Sequence, residues 1–153
     1  MPENPSESVA WLLALGGRLR AAVSEREFVH LLENPTLFEV PMSPAHCRHV
    51  VAWNNLLLPV MDLSLWLHDQ PLEAPRPLVG VFAHQVRRSP KAGYGALVLA
   101  GIPTRTQVTD DMACGLPKNP PTWRSVAISC FKHESKATPI LDLPQIFGGA
   151  LAR

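Results

Sequence analysis

The chain has 153 residues, 46% of them hydrophobic and 18% charged, with a formal charge of +1. That is enough apolar material for a core and excludes a wholly disordered or collagen-like chain; the near-neutral balance argues against a dedicated nucleic-acid binder, which carries a basic surplus. The 16 prolines are about twice the typical share; they cut the chain into short pieces and exclude a bundle of long helices.

Residues 1–8 read as a flexible tail, acidic rather than basic, so no secretory leader is expected. Val9–Leu15 and Arg18–Val23 flank Gly16-Gly17 and predict a hairpin with a primed turn. Residues 25–33 suit a short strand or one helical turn, closed by Asn34-Pro35. Val40–Pro44 is a proline-bounded loop, and Ala45–Arg48 a helical turn with Ser43 as its cap. Val50–Trp53 and Leu56–Leu58 flank Asn54-Asn55, a pair that tolerates the positive φ of a two-residue hairpin turn. These runs are apolar on both faces and should lie at the centre of the core.

Val50–Met61 is a long uncharged stretch, yet too short to cross a bilayer, which takes roughly 20 residues. Pro71–Pro77 is a polar, proline-rich connector and the expected division between two halves. Leu78–Phe82 and Gly95–Leu99 read as strands, and Arg87–Lys91 as a solvated basic hairpin tip. Thr109–Pro121 reads as a long irregular loop. Val126–Phe131 and Thr138–Leu141 read as strands around a charged turn at 132–136. Trp11, Trp53 and Trp66 stand in apolar surroundings and are expected in the core. Trp123, after Pro120-Pro121, is the candidate for an exposed contact anchor.

The strongest signal is internal repetition. Pro59-Val60-Met61-Asp62-Leu63-Ser64-Leu65-Trp66-Leu67 aligns with Pro139-Ile140-Leu141-Asp142-Leu143-Pro144-Gln145-Ile146-Phe147, 80 positions apart. In each copy a proline opens a strand, and an Asp ends it and caps a short helix. Leu63, Trp66 and Leu67, like Leu143, Ile146 and Phe147, fall at i, i+3, i+4 on one helical face. Upstream, Pro44 with Val50-Val51 matches Pro121 with Val126-Ala127-Ile128 at an offset of 76 to 77. A unit half this chain's length buries little alone, so two copies should share one core.

These residues resemble the CheW-like domain family. Pro41–Trp53 followed by Asn54-Asn55 and Pro59-Val60-Met61-Asp62-Leu63 is similar to its central signature, a proline loop, a short turn, a hairpin and a Pro-Val-Ile-Asp-Leu run. Pro139-Ile140-Leu141-Asp142-Leu143 is similar to its closing motif. The resemblance covers about residues 9–147. It implies a mainly β fold of two intertwined five-stranded SH3-like barrels related by a pseudo-two-fold, forming a single domain over 9–153. It also implies a non-enzymatic adaptor that joins the cytoplasmic tip of a methyl-accepting chemoreceptor to the regulatory domain of a CheA-type histidine kinase. In that family the first-barrel hairpin and the groove between barrels meet the receptor.

Carried onto this chain, the partner-binding residues are Val50, Val51, Asn54 and Leu56, with Trp123 added as the contact anchor; Asp62 and Asp142 are structural caps. The family's hairpin Arg-Gly is Asn54-Asn55 here, the Gly before Val-Val is His49, and a Glu in the third apolar run is His30. Asn54 keeps hydrogen bonding but loses a bidentate cation. A divergent adaptor of the PilI/ChpC-like, type IV pilus branch fits these changes. The expected place is cytoplasmic, at polar receptor arrays, with no cofactor, no nucleic acid and no membrane insertion. The alternatives are a CheW-like binding module outside motility signalling and a small metal-binding or enzymatic β domain.

For the last of these, His46, Cys47, His49, Cys130 and His133 are ligand types that suit zinc, but their spacing contains no pair of C-x-x-C motifs. Cys114 and Cys130 carry no local signature of a catalytic nucleophile. Gly93-Tyr94-Gly95 lacks the ending of a phosphate loop and reads as a turn. The odd count of cysteines implies free thiols.

Overall fold

The computed structural model describes residues 8–68, 78–86 and 88–150. The first repeat holds β1 (Ser8–Gly16), β2 (Leu19–Ser24), β3 (Phe28–Glu33), β4 (Leu37–Glu39), β5 (His49–Trp53), β6 (Leu56–Met61) and α1 (Leu63–His68). The second holds β7 (Leu78–Gln85), β8 (Ala92–Leu99), β9 (Thr104–Val108), β10 (Ala127–His133), β11 (Lys136–Leu141) and α2 (Leu143–Gln145), which runs on into a π turn, Ile146–Ala150. The expected connector at 71–77 and the tail at 1–7 lie outside the described residues. Ser8 belongs to β1 rather than to the tail.

The strands form two curled sheets, β10-β11-β2-β1-β9 and β3-β7-β8-β6-β5-β4. Each sheet takes its first hairpin from the other repeat. β2 lies parallel to β11 through Ala22 and Ile140, and β8 lies parallel to β6 through Ala96 and Val60. β1 pairs with β9, and β7 pairs with β3. The two repeats therefore exchange their opening hairpins, and neither holds all the strands of its own barrel.

The 80-residue offset holds through the whole hairpin. Val50↔Pro59, Val51↔Leu58, Ala52↔Leu57 and Trp53↔Leu56 repeat as Cys130↔Pro139, Phe131↔Thr138, Lys132↔Ala137 and His133↔Lys136. Both turns have two residues at positive φ, Asn54 (49°) and Asn55 (61°) against Glu134 (50°) and Ser135 (66°). The upstream offset of 76 to 77 is thus a misalignment. Val126 corresponds to His46: their carbonyls accept the N–H of Asp142 and of Asp62, each at 2.8 Å. Apolar likeness between Val126-Ala127-Ile128 and Val50-Val51 displaced the alignment by about one helical turn.

Several local expectations shift. The first turn is Gly17-Arg18, one residue later, because the ladder skips Leu15 and pairs Gly16, at φ 115°, with Leu19. Ser43 does not cap the turn at Ala45–Cys47; its hydroxyl donates to the Val40 carbonyl, and Pro44 occupies the cap position. Pro59 and Pro139 lie inside their strands, not at the start. Each stands one residue before its strand begins to pair with a third one, so the missing N–H breaks no ladder on that side. One sheet has six strands rather than five, because β4 is a full strand where the other sheet has only the bridge Ala113↔Phe131.

The main core lies between the sheets. Leu13, Leu15 and Val23 from the first exchanged hairpin meet Phe82, Leu97 and Leu99 from the second, with Leu63 and Leu67 of α1 and Leu143 and Ile146 at α2. Gly95 makes room here: a Cβ would come within 2.4 Å of the Phe147 ring. Each barrel also has its own interior. The six-stranded one is filled by Val51, Leu58, Val60, Val79, Val81 and Ala96. The apolar cluster inside the five-stranded one is Ala10, Ala22 and Phe131, with Thr138 where the other barrel has Leu58, beside a half-open pocket of about 280 Å³. The repeat explains the deficit: the ladders place Ala10↔Ser24 where the other barrel has Val79↔Val98.

Both repeat aspartates accept backbone N–H groups just past the strand end. Asp62 Oδ1 takes the Ser64 N–H (3.1 Å), the Ser64 hydroxyl (2.6 Å) and the Leu65 N–H (3.4 Å); Asp142 Oδ1 takes the Gln145 N–H (3.3 Å). Asp62→Ala is expected to cost about 1–2 kcal/mol and Asp142→Ala about 0.5 kcal/mol in urea denaturation. Equal losses would contradict the unequal bonding.

Candidate functional site

Among the described residues, the largest group of exposed apolar side chains lies at the β4-β5-β6 face of the six-stranded barrel. β5 and β6 are held in register by the Asn54-Asn55 turn, whose positive φ at both positions matches the twist of the strands it joins. Side chains alternate from there. Val51 and Leu58 point into the barrel, whereas Val50, Ala52, Leu57 and Pro59 share the outer face. Phe38, opposite Val50, and Val40, whose N–H donates to the Arg48 carbonyl at 2.8 Å, extend that face across β4. Leu57 is 69% exposed, Phe38 52% and Leu56, at the tip, 45%. Met42, at φ 62° in the loop beyond β4, is fully exposed.

On the same face of β6 the next outward residue is Met61, which is buried in the central core. The exposed strip therefore runs from the hairpin tip to the seam between the barrels. Behind it, Trp53 packs on Tyr94 (5.2 Å between centroids) and donates its indole N–H to His30 Nδ1 at 3.2 Å, which holds the tip against the barrel.

The second repeat supplies an internal control. Leu56, Leu57, Ala52 and Trp53 correspond to Lys136, Ala137, Lys132 and His133, and Asn54-Asn55 to Glu134-Ser135. Identical backbone geometry carries an apolar tip on one barrel and a charged tip on the other. Folding does not require an apolar tip, so its presence on one side marks a surface with another use.

Of the residues expected to meet a partner, Asn54 and Leu56 are exposed and Val50 is half-buried on the outer face. Two expectations fail. Val51 is 2% exposed and fills the barrel interior, because strand alternation turns it away from Val50. Trp123 is also 2% exposed: the turn Pro121–Ser125 folds it into the central core, so it is no surface anchor. The hairpin runs are likewise not at the centre of the core, since their outer face is open. The sequence reading missed Leu57 and Phe38; their pairing with Ala52 and Val50 follows only once the register is known.

The candidate metal-ligating side chains do not converge. Among the described residues no group of three or more His, Cys, Asp or Glu is placed to hold a metal ion. His46 packs edge-on against Trp66 (4.8 Å), Cys47 lies against the central core, where burial raises its thiol, and Cys130 belongs to the other barrel. No helix among the described residues is long and apolar enough to cross a membrane.

No family model matches the sequence, and no curated protein does. A solved structure does match: the scaffolding protein CheW from Thermoanaerobacter tengcongensis superposes with a TM-score of 0.69 over 88% of each chain, at 8% sequence identity. The chain therefore has a CheW-like fold, with its two curled sheets as the two SH3-like halves.

Proposed function

We propose that this chain, built on the CheW fold, is a non-enzymatic adaptor that couples the cytoplasmic tip of a chemoreceptor to the regulatory domain of a CheA-type histidine kinase, in a chemotaxis or type IV pilus pathway. The observation that carries the reading is the apolar strip from Leu57 and Phe38 to the seam at Met61, where the corresponding hairpin of the other barrel carries Ala137, Lys136 and Lys132. Such a strip suits the apolar stripe of a helix laid along a groove. Val50, Asn54 and Leu56 belong to this contact, with Leu57 and Phe38 as its most exposed apolar members. The work is geometric: two partners bind separate faces of a rigid body, which fixes their spacing. The place of action is the cytoplasm, at receptor arrays.

Asn54 at the hairpin turn favours a second reading, a binding module of the same fold outside motility signalling. An amide there forms no bidentate ion pair with a carboxylate. The same strip would then serve a different partner.

Size-exclusion chromatography of the purified chain with the kinase regulatory domain and a receptor-tip fragment from the same organism tests the first reading. A ternary complex is the expected result. Binding to neither component would reject it and leave the second.

A further inference from the structure

We propose that Cys114 and Cys130 form a reversible disulfide when the protein meets a peroxide, closing the free edge of the five-stranded barrel. This inference does not depend on the adaptor reading.

The two sulfurs lie 3.4 Å apart, and the Cys114 N–H donates to the Cys130 carbonyl at 3.0 Å. They are cross-strand neighbours beside the bridge Ala113↔Phe131. A shift of about 1.4 Å brings the sulfurs to the disulfide length of about 2.04 Å. The repeat shows what this position does. Ala113↔Phe131 corresponds to Leu37↔Val51, so Cys114 and Cys130 stand where Phe38 and Val50 stand in the other barrel. There, three pairs, Leu37↔Val51, Phe38↔Val50 and Glu39↔His49, cover the edge of β5. Here β10 is an edge strand covered by one bridge, with Ile128 66% exposed. A covalent link would do for this edge what β4 does for its counterpart, in the barrel whose interior is underfilled.

The chemistry balances with hydrogen peroxide as the two-electron oxidant. Cys114, half-buried, is the sulfur the oxidant reaches; Cys130 is 2% exposed. Burial, and then contact with the Cys114 thiol, push the Cys130 thiol up to about 12, so of the two sulfurs it is the weaker first nucleophile. The Cys114 thiolate attacks one peroxide oxygen, the O–O bond breaks, and a sulfenic acid and one water result. The Cys130 sulfur then attacks the Cys114 sulfur, the S–O bond breaks, and a second water leaves. Two thiols are oxidised, one peroxide is reduced, and both thiol protons end in water.

The test treats the full chain with one equivalent of hydrogen peroxide, alkylates the remaining thiols and digests with trypsin. The expected product is a linked pair of peptides, 106–118 with 125–132, with Cys47 alkylated as the internal control. Tm should rise by roughly 5–10 °C, as a bridge across a loop of this length implies, and dithiothreitol should reverse both changes. Amides along β10 should gain hydrogen-exchange protection. Cys114→Ser, which leaves the buried Cys130 in place, should lose the linked peptide and the Tm rise. Alkylation of all three cysteines after treatment, links between chains, or Cys114 oxidised to sulfinic acid without a link would each overturn the proposal.

Discussion

Leu57→Asp is expected to weaken binding of the receptor-tip fragment by at least about 30-fold while leaving the melting temperature within roughly 2 °C. Leu57 is 69% exposed in the free chain, so the folded state loses little when it changes; surface substitutions of this kind stay within about 0.5 kcal/mol. At a covered contact the same carboxylate must be stripped of water with no cation opposite, and loss of a central apolar anchor alone costs about 2 kcal/mol or more. A charge at an apolar anchor therefore acts on binding and not on folding. The second repeat again gives the control. Ala137 occupies the place of Leu57 on the other hairpin, and Ala137→Asp, which adds the same charge, should leave the affinity unchanged. Titration calorimetry on both variants separates the cases. Equal losses would assign the effect to net charge, and no loss at Leu57 would remove the strip from the contact.

Trp123→Ala is expected to lower stability by about 3–5 kcal/mol, the usual cost of emptying a large aromatic site in a core. Trp123 sits in the central core with Val126, Leu141 and Leu143. The turn that carries it is tied to the other half: the Trp66 indole N–H donates to the Ser125 hydroxyl at 3.2 Å, and the Thr122 hydroxyl donates to the Leu67 carbonyl at 3.5 Å. The loss should therefore appear as a single cooperative transition at lower denaturant. Partner affinity per folded molecule should be unchanged. A stable variant with weakened binding would restore Trp123 as a surface anchor.

How far the sequence led depends on the range of each contact. The Asn54-Asn55 hairpin and the nonapeptide copies were legible because a turn residue or an i, i+3, i+4 pattern acts within a few positions. β4 and β9 were not: Leu37–Glu39 has only three residues, and Thr104–Val108 is largely polar, so neither carries an apolar period. The family resemblance implied intertwined barrels, as found, but which strands are exchanged was hidden in the residues. The exchange rests on short parallel pairings, Ile140↔Ala22 in one sheet and Val60↔Ala96 with Met61↔Leu97 in the other, between segments distant in the chain. Placement of the strip failed for a related reason. An apolar residue on both faces of a hairpin shows that both could be buried, and only the position of the second barrel decides that Met61 is covered and Leu57 is not.

The two copies have traded their opening hairpins, and that exchange creates the seam and sets the strip beside it. Nuclear Overhauser contacts in an isotopically labelled sample address it directly. The backbone protons of Ala22 should lie close to those of Ile140, and those of Ala96 close to those of Val60. Contacts of Ala22 with Val60 and of Ala96 with Ile140 would mean that each repeat keeps its own hairpin and that no exchange takes place.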